Sequence, residues 1–281
     1  MGELVHGETA ADSQQELRDE PRAAGPSLSL HAQVMRLQRT IGNRAVGQLG
    51  VRMLARQPVL APGGGPSRLV GLDRVLKWDD YKGARAPATA PPNALAATRS
   101  EIDRRVGGAL PGTASFEGSG GAFKLKDSVV ITVSINPISW KSSAVAALPY
   151  LEDKLLLEHE QGHYNIAALL ARDQFIEIMA LKGRTFASQA EGARALAAIT
   201  SRYDADLTKV DNLYDDKGET DHIPWVKVMA RPVEKSDPQK KWERYIDKAF
   251  TQERSTGETA PNGAAYKVQL VDVLKQAGHT I

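Results

Sequence analysis

The pattern of apolar and polar residues predicts one long buried helix in the middle of the chain. Between residues 146 and 181, apolar side chains recur at helical spacing, and residues 155–157 are all leucine. Lys182 and Gly183 then supply the basic residue and the glycine that are typical of a helix end. We therefore expect a helix that begins at about residue 146 or 149 and ends at Leu181.

Upstream of this helix, runs of β-branched and aromatic residues predict strands. The clearest run is residues 128–136, which carries five valines and isoleucines and ends at Asn136-Pro137. Residues 116–125 and residues 96–102 are further candidates. We expect a meander ahead of the helix, in which residues 128–136 form either a sheet edge that binds a peptide as an added strand or an ordinary core strand.

Three further helices are predicted downstream. Ser188 and Glu191 fit a capping box before a helix that extends to about Val210, and a polar loop follows over residues 212–225. Ser236-Asp237-Pro238 then starts a helix over residues 239–250, and residues 266–277 fit a short last helix. The order of elements predicts an α+β fold, with a small antiparallel or mixed sheet beside the long helix.

Composition narrows the class of protein. The 281 residues are 42% hydrophobic and 25% charged, which allows one sizeable core, and the net charge of +2 gives no argument for nucleic acid as a partner. No apolar run is long enough for a transmembrane segment. The chain has no cysteine, so any metal must be held by histidine and carboxylate side chains.

The first part of the chain differs from the rest. Residues 1–57 are predicted to be a partly disordered leader with a short basic amphipathic helix, which fits a solvated helix on the main domain better than a membrane-surface helix. The first 26 residues lack the apolar region of a secretory signal peptide. Residues 58–67 are a proline- and glycine-rich linker, so we expect the main domain to cover residues 68–281.

His159, Glu160 and His163 form a candidate metal site in the centre of the long helix. At about 100° per residue the two histidines lie roughly 40° apart, so both imidazoles can reach one zinc ion, while Glu160 can take a proton from water. A chance match would place an ordinary polar pair on a surface helix. The apolar residues on both sides argue against that, because unpaired histidine and glutamate are costly inside a core.

A catalytic zinc site usually has three protein ligands and one position open to water. Of the six histidines, His222 is the best third ligand, because the others lie in the leader, at the chain end or already in the motif. Three carboxylates remain alternatives: Glu191, Asp221 and Glu219. Tyr214 lies in the same predicted loop as His222, and its phenol is our candidate donor to the oxyanion that develops during hydrolysis.

The leader carries the first of two family resemblances. The segment Leu37-Gln38-Arg39-Thr40-Ile41-Gly42-Asn43-Arg44-Ala45-Val46 resembles the leader of cargo proteins of bacterial extracellular contractile injection systems. The resemblance covers about twenty residues. It implies that the protein is made in the bacterial cytoplasm without a signal peptide, loaded into a phage-tail-like particle, and delivered outside the cell or into a target cell.

The second resemblance covers most of residues 72–250. The chain resembles a bacterial domain family of otherwise unknown function whose members are thought to be secreted zinc-dependent proteases. The motifs that carry it are Trp78 to Gly83, Ser139-Trp140, His159 to Tyr164, Tyr214-Asp215 with Glu219 to His222, and Gln239 with Trp242. It implies a zincin-like fold and carries His222 over as a zinc ligand.

These inferences predict a zinc metalloendopeptidase. His159, His163 and His222 would hold the zinc, Glu160 would act as general base, and a protein or peptide would be the substrate, so the chain could serve as a toxin or effector cargo. The alternative is a non-catalytic cargo or structural component of the injection particle. Its metal would only stabilise the fold, with a fourth ligand such as Asp221 or Glu191 closing the site.

Overall fold

The computed structural model describes residues 67–86, 94–216, 219–220, 224–226, 233–254 and 266–281. Within these ranges the protein is a mixed α+β structure with small sheets and four helices, as the order of predicted elements indicated. The predicted leader and nearly all of the linker lie outside the described residues. So do Asp221 and His222.

A three-stranded mixed sheet lies beside the long helix. Its strand order is β1 (Arg68–Val70), β6 (Val129–Ile135) and β3 (Ser100–Val106). The central strand β6 runs parallel to β1 and antiparallel to β3. Its alternate side chains point into the core, and the buried ones are Val129, Ile131 and Val133.

This topology corrects two predictions. Residues 128–136 are not a sheet edge, because β6 has a partner strand on each side and forms part of the core. The predicted meander is also wrong. Residues 116–125 form a separate hairpin of β4 (Phe116–Ser119) and β5 (Ala122–Leu125), which pair with each other and not with β6.

Strand β3 lies at one edge of this sheet, and a second short strand precedes it along the chain. This strand, β2 (Ala96–Ala97), pairs antiparallel with β7 (Trp140–Lys141), which follows β6 along the chain. Ser139 links the β2–β7 pair to the β3–β6 pair. Its hydroxyl accepts a hydrogen bond from Arg99 N and donates one to Arg99 O, between β2 and β3. The prediction of a strand over residues 96–102 is confirmed in part, since β3 continues to Val106. A last small ladder joins β8 (Trp225–Val226) and β9 (Glu234–Lys235).

The four helices are α1 (Tyr150–Ala180), α2 (Gln189–Tyr214), α3 (Asp237–Thr251) and α4 (Leu270–Gln276). The capping residues in the sequence predicted where α2 and α3 begin. Ser188 caps α2 by accepting a hydrogen bond from Glu191 N, and Ser236 caps α3 in the same way. Helix α2 continues one turn beyond the predicted end at Val210. Among the described residues, no helix is both long enough and apolar enough to cross a membrane.

Helix α1 is the centre of the core. Ile166 to Ala171 are completely buried, since α2, α3 and the sheet pack around the helix. Two charged residues follow: Arg172 donates to the carbonyl oxygens of Ala249 and Val268, and Asp173 accepts from Leu270 N. This pair satisfies backbone groups at the end of α3 and the start of α4, and so attaches both helices to α1.

Candidate metal centre

Three side chains from two helices converge on one point. His159 and His163 come from consecutive turns of α1, and Asp215 follows the last residue of α2. The Oδ1 atom of Asp215 lies 3.3 Å from His159 Nε2 and 3.0 Å from His163 Nε2. The three candidate ligand atoms all lie within 4.8 Å of one another, and both histidines are buried. This group could hold a metal ion.

The donor set fits a divalent metal such as zinc. Neutral imidazole nitrogens and a carboxylate oxygen are ordinary zinc ligands at about 2.0–2.2 Å, so two ligand atoms of a tetrahedral site lie roughly 3.3 Å apart. Both distances from Asp215 Oδ1 are close to this spacing. The geometry does not distinguish zinc from other divalent metals that bind nitrogen and oxygen.

Each imidazole is oriented through its other nitrogen. His163 Nδ1 lies 2.6 Å from Oδ1 of Asp211, and His159 Nδ1 lies 3.1 Å from Oε1 of Gln239. When these nitrogens carry the ring protons, the Nε2 lone pairs point to the site shared with Asp215. The two histidines therefore have different partners, a charged carboxylate and a neutral amide.

The electrostatics of His163 favour the imidazolium form in the absence of a metal. Burial alone would lower the pKa of this ring, but the carboxylates of Asp215 and Asp211 outweigh burial and raise the pKa well above its usual value. Metal binding requires the neutral ring, so a cation at the site replaces a proton.

Tyr214 lies under the two imidazoles. Its ring stacks on His159 with centroids 4.7 Å apart and meets His163 edge-on at 4.8 Å. The hydroxyl is buried, donates to His159 O at 3.2 Å and lies within hydrogen-bond distance of both polar atoms of Gln239. These contacts do not fit the predicted role of oxyanion donor, because the hydroxyl faces the backbone of α1. They fit a residue that supports the metal ligands.

Gly162 makes this packing possible. A Cβ atom at this position would lie 2.2 Å from Oη of Tyr214 and 2.6 Å from its Cζ atom. The glycine inside the candidate metal-binding motif is therefore explained by the close approach of an aromatic side chain.

Glu160 is buried beside the two histidines but is not part of the ligand group. Its Oε2 atom accepts a hydrogen bond of 2.6 Å from the hydroxyl of Thr98, just after β2. A cavity of about 160 Å³ opens next to His163 and lies between the edge strand and α2. The lining side chains of the strand include Thr98 and Ser100, and those of α2 include Leu207 and Asp211.

The structure brings some of the predicted site residues together and separates others. His159, Glu160 and His163 are brought together as expected. Glu191 is excluded as a ligand, because it lies 24 residues before Asp215 on the same helix, about 36 Å away along the axis. Glu219 accepts a hydrogen bond from Trp242 Nε1 and is not among the candidate ligands. His222 and Asp221 lie outside the described residues, so both stay predictions.

Sequence reasoning gave no role in the site to Asp215, Asp211 or Gln239, although Asp215 and Gln239 stand in motifs of the second resemblance. The predicted end of α2 at Val210 left both aspartates in a loop, where no helical face relates them. The spacing of Tyr203, Val210 and Tyr214 could have extended the helix and placed the two aspartates on consecutive turns of one face. Gln239 carried no signal of its own for contact with His159, 80 positions earlier.

Comparisons with known proteins add no assignment: no protein-family model matches the chain, and no curated protein or solved structure is significantly similar to it. The function must therefore be argued from the site itself.

The contact between Gly162 and Tyr214 predicts an unusual response to a glycine-to-alanine change in a helix. Gly162→Ala should lower the free energy of unfolding by about 1–3 kcal/mol through overpacking. In a Tyr214→Leu background the same change should be neutral or stabilising, because alanine favours a helix by about 1 kcal/mol over glycine. Urea unfolding of the four proteins measures this coupling. Equal effects in both backgrounds would contradict it.

The raised pKa of His163 predicts proton release on metal binding. Its protonated ring stabilises the metal-free fold fully below its unfolded pKa of about 6.5, and this stabilisation is lost as the pH rises through the folded pKa. Zinc binding near pH 7 should therefore release about one proton from this ring. Isothermal titration calorimetry in buffers of different ionisation enthalpy measures the number.

The variant Asp211→Asn tests whether the carboxylate of Asp211 raises the pKa of His163. It removes one of the two carboxylates that raise the pKa of His163, so it should reduce the number of protons released. Asp206→Asn on the same helix is the control and should release as many protons as the wild type. Equal proton release by all three proteins would show that Asp211 does not set the charge of His163.

Proposed function

We propose that the protein is a zinc-dependent metallopeptidase with a zincin-like fold. The observation that carries the proposal is the position of Glu160. This buried carboxylate lies between the two candidate metal ligands in the sequence of one helix, and it accepts a hydrogen bond from Thr98, which lines the cavity beside His163. A structural metal site does not require a buried carboxylate that stays outside the ligand group, whereas hydrolysis requires a base at this place.

A divalent ion bound by His159, His163 and a third ligand would supply Lewis acidity, which polarises a peptide carbonyl and makes water more acidic. The protein residues do the rest. Glu160 takes the proton of the attacking water at its carboxylate and passes it to the nitrogen of the leaving amine. Asp211 and Gln239 keep the two imidazoles in the orientation that the ligands need.

The substrate is proposed to bind along the outer edge of residues 96–106. Within the described ranges, the strands of this segment pair with β6 and β7, and Val106 at its end also forms an isolated bridge with Ala109. An extended peptide can add to such an edge through backbone hydrogen bonds. This assignment replaces the one made for residues 128–136. It brings the peptide past Thr98 and the cavity of about 160 Å³ beside His163, which would take a substrate side chain.

The predicted role as a toxin or effector cargo of a contractile injection particle is part of this proposal. It is supported only by the leader resemblance in residues 37–46.

One observation favours the alternative of a purely structural metal. Asp215 already provides a third ligand atom, so a site that also contains His222 would have four protein ligands and no open position. Thr220, two residues before His222, is buried, and it is hydrogen bonded to the carbonyl oxygen of Tyr214, the residue before Asp215.

For the catalytic site, we propose instead that Asp215 is the third ligand and that the fourth position is open to water.

The general-base assignment predicts the behaviour of Glu160→Gln. Cleavage of an unfolded protein such as casein should fall by at least about 100-fold, because the amide cannot accept the proton. One zinc per chain should remain, since Glu160 is not a ligand. Glu158→Gln is the matched control on the same helix. Glu158 forms ion pairs with Lys154 and Lys235, and its replacement should leave the cleavage rate within about twofold.

The third ligand is identified by zinc content after dialysis against a weak chelator. Asp215→Ala should lose zinc, and His222→Ala should retain it, if the site is open. Loss of zinc in His222→Ala alone would assign that residue instead. Weakened binding in both variants, together with no cleavage by the wild type, would support the closed structural site.

A further inference from the structure

We propose that Thr98 is a positioning residue for Glu160, and that two motifs distant from the candidate metal ligands along the chain hold Thr98 in place. This inference rests on the proposed function and assigns a role to Tyr81 and Ser139, which neither bind the metal nor face the cavity. Three observations carry it: the contact of Thr98 with Glu160, the group behind Thr98, and the way its strand is fixed.

The contact leaves one oxygen of Glu160 available. Thr98 is almost fully buried, and its hydroxyl lies 2.6 Å from Oε2 of Glu160. Within the described residues, Oε1 takes no comparable hydrogen bond. A buried carboxylate with no partner would be free to rotate and costly to ionise. The threonine hydroxyl fixes the side chain through one oxygen, so the other is presented to the reacting water.

The direction of the hydrogen bonds is determined by a second hydroxyl. Oη of Tyr81 lies 2.7 Å from Oγ1 of Thr98, and both groups are buried. Thr98 has a single proton, which the carboxylate accepts, so the tyrosine must donate to the threonine. The chain runs from Tyr81 to Thr98 to Glu160. Burial, together with the charge of Glu160, raises the pKa of Tyr81, so the phenol keeps its proton.

The backbone of Thr98 is fixed by its neighbours. Arg99, the next residue, is held on both backbone atoms by the hydroxyl of Ser139. The segment that carries Tyr81 is tied to the same place, because Gly83 N donates to Ser139 O at 2.8 Å. A Cβ atom on Gly83 would lie 2.5 Å from Ile138 O, so only glycine allows this approach.

These contacts show that two separate segments of the chain both hold Thr98 in place. The segment from Trp78 to Gly83 supplies the tyrosine and the glycine, and Ser139 supplies the clamp on the strand. Trp78 anchors the first segment to α1 through a hydrogen bond of 2.8 Å from Nε1 to Asp153. Because Thr98 also lies on the edge proposed to bind the peptide, substrate and base are positioned by the same stretch of backbone.

The test compares Thr98→Val, which keeps the shape and removes the hydroxyl, with Thr98→Ser, which keeps the hydroxyl. We expect Thr98→Val to lower kcat about 10- to 100-fold with KM within about threefold of wild type, because the lost bond is to a charged group. Thr98→Ser should restore most of the rate, and Tyr81→Phe should lower kcat about 3- to 10-fold. Zinc content and melting temperature are measured for each variant. Thr251→Val, at the end of α3, is the matched control.

A second readout does not depend on turnover. The carboxylate band of Glu160 is isolated by subtracting, from the infrared spectrum of each protein, the spectrum of the same protein that also carries Glu160→Gln. It should shift in Thr98→Val, and it should stay in place in Thr98→Ser and Thr251→Val. A wild type that cleaves nothing would refute the proposed function, while the band would still report the hydrogen bond. An unshifted band in Thr98→Val, or a shifted band with kcat unchanged, would overturn the inference.

Discussion

The structure depends on the need to satisfy polar groups inside an apolar helix. Six consecutive residues of α1, His159 to Tyr164, include five with polar side chains, placed where the sheet and two other helices pack. Each buried donor or acceptor left without a partner costs about 1–3 kcal/mol, so the surrounding elements must reach this turn with matching groups. Much of the architecture follows from how they do so.

The partners come from nearly every part of the domain. Gln161 accepts a hydrogen bond from Leu76 N and donates to Arg74 O, so it ties the segment after β1 to the helix. Tyr164 donates to Gly71 O and Val133 O and joins that segment to the central strand. Gly71 has a φ of 89° and lies so close to Val133 that a Cβ atom would meet its carbonyl oxygen at 2.1 Å. One helical turn thus serves both as the chemical site and as the junction of the fold.

How far the sequence predicts this protein depends on how local each signal is. The helices and their caps were predictable, because Ser188, Ser236 and the periodic apolar positions act within a few residues. The sheet was not, because the pairing of β6 with β1 and β3 joins segments separated by up to about 60 residues. The β-branched pattern of β6 fits an edge and a centre equally well.

The same distinction applies to the site. His159, Glu160 and His163 were predictable because helix geometry alone relates them. Asp215 depended on one further turn of α2, and Gln239 on the packing of α3 against Tyr214. A motif can therefore identify the residues that meet a metal, but the groups that orient them come from elements whose arrangement is decided by packing. For this reason the loss of a remote hydroxyl or amide should be read as damage to the alignment of the site rather than to its composition.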